Sequence, residues 1–263
     1  MVGEIIAKRE FSPLYIYLDI GFLLLLAGLL IYKKKYLTVI IGLIMGVTYM
    51  VVDYGMFHLI HNSRSISEGH SLFWVLLWMS MSYGFTNFVW IWLWLSKDEH
   101  LLEWSLLILL WWFVCPLISA QFTSADPIII QRTTSGYHGT MAIMLLVGYL
   151  GVIIYNLWQK DTQKRAQILW MLAIGVLVQF GWEAALLISG IRSSGFEGAN
   201  KLQVLITNSL LETNLGMPYV YIIHVAVTSK ISEQLKVKEN KLSLTEQIKY
   251  LRTKKVSTTE GKM

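Results

Sequence analysis

Four carboxylic acids stand inside otherwise apolar runs of this sequence: Asp19, Asp53, Glu183 and Glu212. An ionisable side chain at the centre of a bilayer costs at least ~2.5 kcal/mol, so such residues face a bundle interior or a cavity and are functional candidates by default. Counted at ~1.5 Å of rise per residue from the ends of their runs, all four fall at similar depth in the outer half of the membrane, although they belong to four different segments. Gln179 precedes Glu183 by four positions and Asn208 precedes Glu212 by four, so each amide shares a helical face with its acid and can donate to it. None of the four segments carries an internal Lys or Arg. The expected site is therefore acidic rather than ion-paired, with carboxyl groups protonated or turned towards water or a cation. Two carboxyl groups in unequal surroundings can serve as general acid and general base. Glu183 as acid and Glu212 as base is the first assignment, the reverse stays open, and Asp53 is a third catalytic candidate. Asp19, on the first segment, is read as a packing residue that hydrogen-bonds between helices.

The neighbours of these acids supply a candidate binding wall. Trp182 adjoins Glu183, and Tyr54, His58 and His61 occupy a sector next to Asp53. With Gln179 and Asn208 they form the expected substrate-binding set. The three-residue spacing of His58 and His61 lets two imidazoles share a ligand, but no Glu-x-x-His or His-Glu-x-x-His pattern accompanies them, and no metal or cofactor is assigned. Cys115, the single cysteine, excludes an intrachain disulfide and a cysteine-based zinc site. His224 counts to the opposite half of the membrane and is read as a packing or interhelical hydrogen-bonding residue. Trp90, Trp92 and Trp94 fit an interfacial belt at the inner end of their segment, and Trp111 and Trp112 fit packing between helices.

Seven apolar runs must position these residues: 14–32, 36–60, 71–96, 101–121, 139–158, 166–191 and 203–228. Each meets the length of ~20 residues that a spanning helix needs. Apolar residues make up 55% of the 263 positions and charged ones 15%, and mean hydropathy is +0.52. The expected fold is all-α, a polytopic membrane protein built as a seven-transmembrane-helix bundle over residues 1–230, followed by a soluble, charged tail, 231–263. Lys-rich joints after the first, third and fifth runs alternate with joints carrying Arg64, Arg132, or Arg192 with Lys201. Positive charge marks the cytoplasmic side, which places the N-terminus outside and the C-terminus inside, with Lys8 and Arg9 counting against. The 122–138 joint, with its Ile128-Ile129-Ile130 run, is expected either to cover the bundle as a lid or to lie as a surface loop.

The net charge of +5 resides at segment ends and in the tail instead of forming a stripe with interleaved aromatics, which excludes a nucleic-acid partner. The expected partners are the lipid bilayer and a lipophilic small molecule; nothing in the sequence specifies an oligomeric state. The intramembrane acids, the Trp182-Glu183 dipeptide, and Tyr54-Gly55-Met56 followed by Glu68 together resemble the small seven-helix integral-membrane terpene cyclases. Here the Trp-Glu pair lies on the sixth run rather than an early one. The resemblance implies an intramembrane enzyme whose carboxyl groups protonate an isoprenoid epoxide or alkene, a lyase or isomerase type of reaction. Two other readings stay open: a proton- or cation-coupled transporter, with Pro116 and Pro218 as the only hints of broken helices, and a seven-helix ligand sensor. A retinal Schiff base is excluded, because 203–228 contains no lysine.

Overall fold

A computed structural model describes residues 7–122, 124–132, 138–162, 165–192 and 201–230. The expected tail, 231–263, lies outside these residues. The apolar runs become seven helices: α1 Pro13–Tyr32, α2 Tyr36–Met50, α3 Leu72–Leu95, α4 Leu101–Phe122, α5 His138–Trp158, α6 Ile168–Ile188 and α7 Lys201–Lys230. Ser12 caps α1 by accepting from the Tyr15 amide, and Pro13 fills the first turn, where its missing N–H has no partner to lose. Both α4 and α7 run unbroken through Pro116 and Pro218. Among the described residues, α1, α2 with its extension, and α3 to α6 are long and apolar enough to cross a membrane. α7 has 30 residues but is more polar, because Asn208, Ser209, Thr213 and Asn214 are buried along it.

α3 is the central helix, packed against α1, α2, α4, α6 and α7. Its approach to α2 rests on missing side chains: a Cβ added at Gly84 would lie 2.8 Å from Gly46 Cα, and one at Gly42 would lie 2.7 Å from the Phe85 ring. Small residues let backbones meet in this way. Trp90 and Trp92 of α3 are buried, Trp90 donating to Ser105 Oγ at 2.8 Å and Trp92 lying edge-on to His224. The expected interfacial belt is thus internal packing, because α3 has helices rather than lipid around it. The remaining helices form an incomplete ring, α2–α1–α4–α6–α7, with α5 leaning on α7. α2 packs closely against neither α5 nor α7.

Two local structures depart from a purely helical bundle. α2 continues as a π-helical segment, Val51–Ile60, at whose end the His61 amide donates to Met56 O, five residues back, at 3.1 Å. At one end of the bundle three strands form an antiparallel cap in the order β1–β3–β2, with β1 Ala7–Phe11, β2 Arg64–Ile66 and β3 Ile128–Arg132. The isoleucine run, read as lid or loop, is the central strand: its β-branched residues suit a pleat, and alternation turns Ile128 and Ile130 into the core. Phe11 packs edge-on to Trp78 with ring centres 5.0 Å apart, and the Glu10 amide donates to Ile191 O at 2.9 Å, which ties β1 to the end of α6.

Candidate functional site

Beneath the strand cap, the inner faces of α2, α3 and α7 enclose a cavity of ≈ 250 Å³ whose wall includes Arg9, Arg64, Arg132, Arg192, Asp53 and Glu212. The arginines come from β1, β2, β3 and the residue turn after α6, so every cation enters from outside the helical runs. This corrects the expectation of a site without counter-ions, which considered only cations within the spans. The long guanidinium stems reach down from the cap to the depth of the acids.

Asp53, buried on the π-helical segment, accepts from Arg64 Nε at 2.8 Å and from Arg132 Nη2 at 3.1 and 3.2 Å. Arg64 and Arg132 lie directly opposite each other in the β2–β3 register. Like charges so placed repel, and Asp53 is the counter-ion that holds both. Burial opposes the charge on Arg132, but Asp53 and then Glu212 outweigh it, and its guanidinium lies above the ordinary value. Glu183 on α6 is wholly buried; it forms a close ion pair with Arg192 and lies 3.9 Å from Arg9 Nη2. The Asn208 amide, oriented by its neighbours, accepts from Arg192 at 2.9 and 3.1 Å. Desolvation, followed by the positive charges of Arg132 and Arg192, lowers Arg9 to about 9, still charged at neutral pH.

Glu212 differs from both. Its carboxylate accepts from Gln179 Nε2 at 2.8 Å, and among the described residues no Lys or Arg nitrogen forms an ion pair with it within the 4.0 Å that defines one. Gln179 joins the acids, lying 3.4 Å from Glu183, while its carbonyl accepts from Tyr83 at 2.6 Å and Thr213 at 2.5 Å. The i,i+4 pairs read from sequence are therefore exchanged across α6 and α7: Gln179 serves Glu212 chiefly, and Asn208 serves the Arg192–Glu183 pair. Interhelical distances, which sequence spacing does not contain, decide the partners.

Trp182 packs behind the site, against Trp112 and Tyr83 with ring centres 5.2 and 5.7 Å away. Tyr54, His58 and His61 are not brought to the cavity wall, which on this segment is made by Val52, Asp53 and Phe57. Tyr54 instead contacts His58 and Phe73, and His61 is exposed; the π-helical turn is wider than the regular helix from which their common sector was read. Asp19 lies apart, its two oxygens accepting from Trp78 and Trp111 indole N–H groups at 3.0 Å each, as befits a packing residue.

Sequence reasoning missed Arg9, Arg64, Arg132, Arg192, Tyr83 and Thr213. One signal was present: the joints at the cap end carry single arginines where the opposite joints carry mainly lysines, and arginine is the residue suited to buried, forked pairing with carboxylates. Fold and site together define a helical bundle with a strand-capped, charged cavity. No protein-family model, curated protein or solved structure matches the chain.

Proposed function

We propose that this chain is a seven-span integral membrane enzyme that acts on a lipophilic substrate, with the Glu212 carboxyl as the group that gives and takes the proton. The observation that carries this reading is the difference between the acids. Asp53 and Glu183 are held by arginines, whereas Glu212 faces the cavity with an amide donor and, among the described residues, no ion-pair partner. A carboxyl that can exist with or without its proton beside a cavity is what general acid–base chemistry requires. The first assignment of Glu183 as acid gives way to a positioning role, since it is enclosed and occupied with Arg192.

Access favours a substrate from the bilayer. The cavity wall includes Thr48 of α2 and Val52 of its π-helical extension, Met141 of α5 and Leu215 of α7, the helices that leave the ring open. The strand cap closes the other approach and limits water, which strengthens electrostatic interactions inside. Protonation of an isoprenoid alkene or epoxide, the reaction suggested by the resemblance to membrane terpene cyclases, is the first chemistry to examine. The orientation is argued from the joints: those opposite the cap are Lys-rich, and such positive charge marks the cytoplasmic side. The cap and N-terminus then lie outside.

The test is a comparison by mass spectrometry of apolar extracts from cells expressing wild type or Glu212→Gln at matched membrane levels, fed an isoprenoid and lipid panel. A wild-type product that falls by roughly 10²- to 10⁴-fold in the variant is expected, the usual range for a positioned acid or base. Identical extracts across the panel would refute the enzyme reading.

A further inference from the structure

From the arrangement of charge and unfilled donors we infer that the cavity takes an anionic head group, phosphate or carboxylate in chemistry, carried on an apolar chain that leaves between α2 and the α5–α7 pair. This rests on the proposed reading of the cavity as a substrate site and names the substrate class. Among the described residues, four guanidinium groups, from Arg9, Arg64, Arg132 and Arg192, stand against three carboxylates, Asp53, Glu183 and Glu212, a surplus of one positive charge. When Glu212 carries a proton, as acid catalysis requires, the surplus is two.

The surplus is concentrated at Arg9. Its side chain is only 6% exposed; among the described residues its nearest carboxylate oxygen, on Glu183, is 3.9 Å away, and its other polar contact is the soft sulfur of Met79 at 3.7 Å. A buried guanidinium has five N–H donors to satisfy, and planar oxyanions match that fork in pairs. Two further donors on the same wall have no partner among the described residues: Ser80 Oγ, on a residue 3% exposed, and Arg132 Nε. A cation and two donors converging on one cavity describe an oxyanion seat. A volume of ≈ 250 Å³ equals that of about eight waters at ~30 Å³ each, enough for a head group and its first carbons. A longer chain must continue through the lateral gap, where Val52, Met141 and Leu215 supply apolar contact.

The experiment is equilibrium binding to the purified full-length chain in a nonionic detergent, read by intrinsic tryptophan fluorescence and by thermal shift, with three probes: farnesyl monophosphate, farnesol and inorganic phosphate. Farnesyl monophosphate is expected to bind at least tenfold more tightly than either of the others. Arg9→Gln is expected to remove that preference over farnesol, Arg9→Lys to keep part of it, and Ser80→Ala, which leaves the ion pairs in place, to weaken the phosphate probe severalfold. Equal binding of farnesyl monophosphate and farnesol overturns the anion seat. Inorganic phosphate binding as tightly as its farnesyl ester overturns the amphiphile. Because binding is measured without turnover, the two readings separate: a headgroup preference with no product from any substrate refutes the enzyme alone, and a product from neutral substrates without that preference refutes the anion seat alone.

Discussion

Asp53→Asn is the substitution whose consequence can be worked furthest. The carboxylate holds Arg64 at 2.8 Å and Arg132 at 3.1 and 3.2 Å, and it separates two guanidiniums that face each other across β2 and β3. Removing one partner of a buried ion pair costs about 3–5 kcal/mol. The Arg64 side chain is wholly buried, but that of Arg132 is 22% exposed, so its share is smaller and the lower end, about 3 kcal/mol, is the expected loss. At roughly 2–4 °C per kcal/mol for a chain of this size, melting of the detergent-solubilised protein should fall by about 6–12 °C. A double-mutant cycle identifies the cause: adding Arg132→Gln to Asp53→Asn relieves the exposed repulsion, and a coupling energy of about 1–3 kcal/mol is expected. Melting within about 2 °C of wild type, or additive effects, would refute the assignment of Asp53 as the counter-ion of the cap.

Other substitutions probe the remaining elements. Gly84→Val introduces a side chain where a Cβ already meets Gly46 Cα at 2.8 Å; overpacking of this kind costs about 1–3 kcal/mol, to be seen as a lower melting temperature, with Gly28→Ala, where no atom lies within 4 Å of the new Cβ, melting close to wild type. Trp111→Phe keeps the stacking on Phe22 but deprives Asp19 of one donor, a loss of about 1–3 kcal/mol; Asp19→Leu in the same background should be less harmful than Trp111→Phe and Asp19→Leu summed, as double-mutant melting will report. Glu183→Gln should lower stability by about 3 kcal/mol or more, since Arg192 is left buried beside a neutral amide, and pairing it with Arg192→Gln should recover part of that loss.

The helices were legible because apolar runs bounded by charge are a strong, local signal: all seven runs became helices, with ends within three residues of the expected ones once the π-helical extension of α2 to Ile60 is included. The strand cap was illegible for the opposite reason. Its strands have 5, 3 and 5 residues, come from three distant stretches, and pair only once the helices have brought those stretches to one end of the bundle. The common depth of Asp53, Glu183 and Glu212 could be counted along separate helices; Asp53 and Glu212 meet on one cavity wall, and Glu183 lies buried behind it, paired with Arg192 of that wall. Asp19 shares the depth but not the direction, which rise along an axis does not report. His58 and His61 illustrate a second limit, since their shared face was read with regular helical periodicity and the chain adopts a π-helical segment there.

The assignment of counter-ions has a consequence for how the site is assembled. A cation within a span would accompany its acid into the membrane with the helix, whereas here the partners of Asp53 lie on β2 and β3 and those of Glu183 on β1 and just after α6. The contacts of Arg9, Arg64 and Arg132 close only when the strands fold onto the bundle, whereas Arg192 reaches Glu183 from the turn that follows the same helix. The cap is thus held by the same contacts that neutralise the site: the β1–β3–β2 hydrogen bonds order the strands, and the arginines fix them to α2 and α6. Among the described residues Glu212 makes no ion pair in this fastening; its bond to Gln179 lies within the α6–α7 interface, and it acts on Arg132 only through space. Its charge can therefore change during a reaction without releasing the cap, and for that reason its neutralisation by Glu212→Gln should leave the fold intact while removing the chemistry.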